Sequence, residues 1–136
     1  MASRNENYVK ILSKNVNKKI ILIDRFIDST IAYQHYGMGV NLKLIKDLNK
    51  MILKDLKVDF TFLHTVSISN LKKRLKKRST LNRYDKLKNS FYKKAQDGFI
   101  KLAKNKKNYL LVNSNKSITH NKEIIINKIN QLIKTW

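Results

Sequence analysis

The run Ile20-Ile21-Leu22-Ile23, apolar at four successive positions and closed by Asp24-Arg25, limits the possible folds of this chain more than any other feature. A short apolar run without alternation reads as a strand buried on both faces, the kind found in parallel sheets covered by helices. In such sheets, ligands bind beyond the carboxyl ends of the strands. Asp24 and Arg25 stand at that end. An aspartate there can hold hydrated Mg²⁺ through water, and an arginine presents a planar fork of donors that matches phosphate oxygens better than lysine does. The strand end therefore reads as a phosphate-handling element.

The other segments alternate helix and strand, which argues for an α/β parallel sheet. Residues Ser3 to Asn15 read as helix, Lys18 to Asp24 as strand, and Ser29 to Tyr36 as helix broken by Gly37 and Gly39. Asn41 can cap a helix whose Leu44, Ile45, Leu48, Met51 and Ile52 recur on one face, as core positions do. Phe60, Thr61, Phe62, Leu63 and Val66 form a second β-rich run, and Ser67 can cap a basic helix through Arg78. Leu87, Phe91, Ala95, Phe99 and Leu102 mark another amphipathic helix. Tyr109 to Val112 is a third short strand, and Ile125, Ile129, Leu132, Ile133 and Trp136 line a closing helix.

A chain of 136 residues makes one domain at most, with enough residues for a core. Without cysteine, disulfides and thiolate metal sites are excluded. His35, His64 and His120 lack paired ligand spacing and read as solvated or capping residues. No apolar run approaches the roughly 20 residues that cross a bilayer, and the first residues do not form a signal peptide. A cytoplasmic protein without membrane contact is expected. The net charge of +21 would ordinarily suggest nucleic acid. However, lysine carries nearly all of it and is scattered through every segment, as an AT-rich coding sequence would produce. The five arginines, Arg4, Arg25, Arg74, Arg78 and Arg83, are the sharper signal.

The stretch Asp24-Arg25-Phe26-Ile27-Asp28-Ser29-Thr30-Ile31-Ala32-Tyr33-Gln34 resembles the Asp-Arg-Tyr/Phe…Ser-Ser/Thr…Ala-Tyr-Gln motif of bacterial thymidylate kinases. Val58-Asp59-Phe60-Thr61-Phe62-Leu63 is similar to that family's Pro-Asp-Leu-Thr-Phe-Leu strand, and Asn82-Arg83-Tyr84-Asp85 to its Asp-Arg-Phe-Glu. Phe91 to Phe99 resembles Phe-His-Glu-Lys-Val-Arg-Glu-Gly-Tyr. Val58 replaces a proline, Thr65 stands where an acidic residue often ends the strand, and Asn82 and Asp85 replace an Asp and a Glu. The resemblance runs over essentially the whole chain, and the order and spacing of the motifs make it specific.

The resemblance implies a parallel-sheet nucleoside monophosphate kinase fold, with a dTMP-binding part over about 1–57, a lid over about 74–86 and a carboxy-terminal strand and helices over about 87–136. It implies that Arg4 contacts the thymine base and Arg25 the dTMP phosphate, while Ser29, Tyr33 and Gln34 line the nucleoside pocket. An aromatic face with an amide that both donates and accepts suits a pyrimidine edge; from spacing alone Tyr33 reads as a core residue. Arg74 would lie against adenine, Arg78 and Arg83 would flank a lid over the ATP phosphates, and Asn113 and Asn115 would belong to the adenine-side loop. Spacing alone would make the lid arginines a solvated basic helix end. Asp24, Arg25, Arg78 and Arg83 are the catalytic candidates, with Mg²⁺ held by Asp24 through water.

No Gly-x-x-x-x-Gly-Lys-Ser/Thr occurs in the chain, so the loop whose amides and lysine cradle ATP phosphates is lacking. The expected fold is therefore an amino-terminally truncated one, without the first strand and phosphate loop and with two strand edges exposed. The leading function is dTMP kinase, using ATP and Mg²⁺ in dTTP biosynthesis, inactive as this segment alone and homodimeric by the same resemblance. A basic helical nucleic-acid-binding module explains the charge but not the Asp24–Gln34 string, and it lacks interleaved surface aromatics. A non-catalytic remnant of the fold is the other alternative.

Overall fold

The computed structural model describes residues 2–54, 56–80 and 87–135. The expected first helix runs as α1 (Ala2–Asn7), a π-helical stretch (Tyr8–Leu12) and α2 (Ser13–Asn15), with Leu12 buried. Its end is made by Asn15, whose carbonyl accepts from the amides of both Lys18 and Lys19, and by Asn17 in the left-handed region at φ 63°.

The strand expected over Lys18–Asp24 does not form. Peptide groups are held in a strand by a neighbouring one, and among the described residues no strand pairs with this run. Nor is it buried on both faces, since Ile20, Leu22 and Ile23 are 53%, 79% and 44% exposed.

After Phe26 the chain enters α3 (Ile27–Thr30), which passes into a second π-helical stretch, Ile31–Gly37. The break falls where the glycines stand, Gly39 taking φ 79°. Helix α4 (Leu42–Leu53) begins at Asn41, whose side chain accepts from the Leu44 amide at 3.2 Å. It buries Ile45, Asn49 and Leu53, while Leu44 and Met51 of the expected core stripe face solvent. The apolar stripe is wider than the surface that meets it.

β1 (Thr61–Thr65) leads to α5 (Ile68–Lys76), capped by Ser67 Oγ accepting from the Asn70 amide. α5 stops two residues before Arg78, whose amide closes a turn on the Leu75 carbonyl. Then follow α6 (Asn89–Ala103), β2 (Tyr109–Asn113) and α7 (Ile118–Ile133). Leu87 lies ahead of α6 rather than on it. β1 and β2 are parallel, in register from Thr61 opposite Tyr109 to Thr65 opposite Asn113. The helical crossover between them is the βαβ unit that parallel pairing requires. No residue of α7 is fully buried; Ile125, Ile129 and Leu132 are half-buried, Ile133 is exposed, and Trp136 lies outside the described residues.

The firmest packing joins α6 to the Ile31–Gly37 stretch. Phe91 and Phe99 meet the Tyr33 ring edge-on, at 5.5 and 6.1 Å between centroids. Ala32, Phe91 and Ala95 are buried. Gly98 lets Tyr36 lie directly on the α6 backbone, where any Cβ would collide with the ring. This contact fixes the helix that carries Tyr33 and Gln34.

Candidate active site

The chain turns sharply at Asp24-Arg25-Phe26, and Arg25 adopts φ 62°. That region costs a non-glycine residue on the order of 1–2 kcal/mol and persists where surrounding structure holds it. Here it brings the Arg25 guanidinium over the Tyr33 ring, 4.6 Å from the centroid. Both Asp24 and Arg25 are exposed, whereas Ser29, Tyr33 and Gln34 are half-buried. Tyr33 packs edge-on with Phe91 and Phe99, as the core reading expects, and also meets the Arg25 guanidinium. The π-helical stretch, a rare form that occurs often at functional sites, places Tyr33 and Gln34 between α3 and α6.

Arg4 crosses from α1 to the same region. Its Nη1 donates to Asn49 Oδ1 at 2.7 Å and its Nη2 to Thr30 Oγ1 at 2.6 Å, with a longer bond to the Phe26 carbonyl at 3.3 Å. The guanidinium also lies 5.5 Å from the Phe26 ring centroid. Burial lowers its pKa from the ordinary value. Arg4 thereby ties α1 and α4 to the turn that holds Arg25. Asn49 was not identified from the sequence, because a buried polar residue on an amphipathic helix looks like an interruption of the stripe. Its Nδ2 has no hydrogen-bond partner among the described residues.

A second unforeseen contact joins residues 81 apart in sequence. The Tyr109 hydroxyl, at the start of β2, donates to Asp28 Oδ2 in α3 at 2.6 Å. Burial first, and then the hydrogen bond and the negative charge of Asp28, push the Tyr109 phenol up to about 12, against a smaller opposing bond to Thr61. Asp28 stands between the matched positions of the Asp24–Gln34 stretch, and Tyr109 was expected only as the start of a strand.

Arg74, Asn113 and Asn115, expected on the ATP side, do converge. Arg74 Nη2 donates to the Ser114 carbonyl at 2.5 Å. Asn115 Oδ1 accepts from the Ser67 amide, Ser67 Oγ and Asn70 Nδ2, and Asn113 Oδ1 accepts from both the amide and Nδ2 of Asn115. The loop after β2 is thus pinned to the start of α5. Beside it opens a cavity of ≈ 390 Å³ lined by His64, Arg74, Ser114, Lys116 and five residues of α7, among them Asn121 and Ile125. Among the described residues no carboxylate lines it. Arg78 lies exposed past the end of α5, and Arg83 lies outside the described residues. Among the described residues no cluster of three His, Asp, Glu or Cys side chains could hold a metal ion, and no helix is long and apolar enough to cross a membrane.

A family model described as thymidylate kinase matches residues 1–125. The chain is similar to the thymidylate kinase of Ehrlichia chaffeensis, 40% identical over 121 residues that cover 88% of this chain and 57% of that protein. It is 37% identical to the thymidylate kinase of Mycoplasma capricolum, over 87% of this chain and 57% of the relative. To that of the Wolbachia of Brugia malayi it is 34% identical, over 99% of this chain and 64% of the relative. Among solved structures, the crystal structure of the Ehrlichia chaffeensis thymidylate kinase aligns with a TM-score of 0.69 and 29% identity, covering 94% of this chain and 62% of that one. The chain spans 57–64% of the length of these relatives.

Proposed function

Because this chain belongs to the thymidylate kinase family, we propose that it supplies the dTMP site and lid for phosphoryl transfer from ATP to dTMP, giving ADP and dTDP. The observation that carries this reading is the Arg25 guanidinium held 4.6 Å above the Tyr33 ring by a left-handed backbone. A phosphate-binding fork and an aromatic nucleoside wall then face one ligand, as a nucleoside monophosphate requires. Arg25 takes the dTMP phosphate, Ser29 and Gln34 take polar groups of the nucleoside, and Arg4, braced by Asn49 and Thr30, sets the floor near the base.

Arg74, anchored on the Ser114 carbonyl beside Asn113 and Asn115, presents its guanidinium plane to adenine. Arg78 and Arg83 bring positive charge to the transferring group, and such positioned charge supplies much of the catalysis of phosphoryl transfer. Asp24 would hold Mg²⁺ through water, and the ion would supply positive charge against that of the phosphates. The exposed Asp24 carboxylate, which belongs to no cluster of three or more ligand side chains among the described residues, suits a hydrated ion held through water. In this reading the protein works in the cytoplasm as a homodimer.

Because the sequence contains no phosphate loop, turnover requires a segment that bears one. A coupled ADP-release assay on the 136-residue chain should show negligible turnover, and a family segment carrying Gly-x-x-x-x-Gly-Lys-Ser/Thr, fused or added in trans, should restore it. Turnover of roughly 1–100 per second by the chain alone, the usual range for kinases, would refute the requirement. Selective binding of dTMP over dAMP in calorimetry tests the site itself.

A further inference from the structure

We propose that Tyr109 acts as a positioning residue for Arg25: by holding the Asp28 carboxylate in a hydrogen bond, it keeps the guanidinium free for the phosphate of the ligand. The inference rests on the reading of Arg25 as the phosphate arginine and adds a residue outside every motif.

Asp28 lies three positions after Arg25, so the carboxylate and the guanidinium stand on one short segment. An aspartate so placed is a rival for the same fork of donors that a phosphate needs. Yet among the described residues Arg25 makes no ion pair, and its guanidinium lies over Tyr33 instead. Asp28 is half-buried and its Oδ2 is taken by the Tyr109 hydroxyl at 2.6 Å. A half-buried carboxylate deprived of its donor must find another, because leaving it unsatisfied is costly. The candidate cations are Arg25, three positions away in sequence, and Lys106, whose ammonium lies 5.0 Å from the Tyr109 ring centroid. A neutral phenol satisfies the carboxylate without recruiting either of them. The hydroxyl carries its proton at neutral pH, as an ordinary phenol does, and so can donate to the carboxylate.

The test is calorimetry of dTMP and of inorganic phosphate with the full chain and two variants, folding being monitored by circular dichroism. Tyr109→Phe keeps the ring and its packing but releases Asp28; dTMP affinity should fall on the order of fivefold, the weight of one exposed ion pair. In Tyr109→Phe/Asp28→Asn the competing charge is gone, so affinity should recover. A purely structural latch predicts loss in both variants, since the tie between β2 and α3 is absent from both, and that pattern would overturn the proposal. Unchanged affinity in Tyr109→Phe would also overturn it, showing that Lys106 or water takes the carboxylate. If the wild-type chain binds neither dTMP nor phosphate, the phosphate role of Arg25 falls first, and this inference falls with it.

Discussion

Replacing Arg25 with lysine keeps the charge and discards the fork. Lysine meets phosphate as a point charge on a flexible stem and cannot make a two-pronged contact. Arg25→Lys should therefore weaken dTMP binding by on the order of 2 kcal/mol, the general scale of a hydrogen bond to a charged group. Titration calorimetry would read this, and unchanged affinity would make Arg25 a structural residue. Tyr109 makes a different prediction, in pH. Its phenol pKa is raised in the fold from 10.0 to about 12, so the protonated form is the one the fold favours. The resulting stability is complete below pH 10 and is lost as pH rises toward 12. Urea midpoints measured from pH 9 to pH 12 should fall over that window, and Tyr109→Phe should flatten part of the decline.

At the level of elements, Gly98 is where packing is tightest, because Tyr36 occupies the space of a Cβ. Gly98→Ala gains helix propensity but forces α6 away from the π-helical stretch. Overpacking typically costs about 1–3 kcal/mol, so thermal unfolding should occur at a lower temperature, and an unaltered midpoint would mean that Tyr36 simply moves aside. The elements that the sequence made legible are those with local signals. Asn41 and Ser67 cap the helices expected of them, and β1 and β2 form where β-branched and aromatic residues gather. The failures come from contacts that no window of sequence contains. Ile20–Ile23 looks like a buried strand, but a strand exists only through its neighbours. Asn49 has meaning only opposite Arg4, and Asp28 only opposite Tyr109. The motif singled out Arg25 and Tyr33, which the structure sets against each other, and the helical spacing marked Phe91 and Phe99 beside Tyr33; the ties made by Asn49 and Tyr109 had no local signal.

At the scale of the whole molecule, the two ion pairs among the described residues, Glu6–Lys10 and Lys43–Asp47, lie on exposed helix faces, in a chain with 30 Lys and Arg against 9 Asp and Glu. Cohesion comes instead from the α6 core and from a sheet in which β1 has one partner among the described strands. The direction of that partnership is fixed by its ends: the Thr61 amide donates to the Asn108 carbonyl, and the Thr65 carbonyl accepts from the Ser114 amide. Alternate residues of a strand turn their peptide groups to opposite sides, so Thr61, Leu63 and Thr65 face β2 while Phe62 and His64 face away. Hydrogen–deuterium exchange should therefore be stitched along this one strand, with the Leu63 amide slow and the Phe62 and His64 amides fast. A phosphate-loop segment that adds a strand along β1 would erase that alternation, slowing Phe62 and His64 to the rate of their neighbours. These two amide protons can thus report on assembly with no nucleotide present and no reaction catalysed.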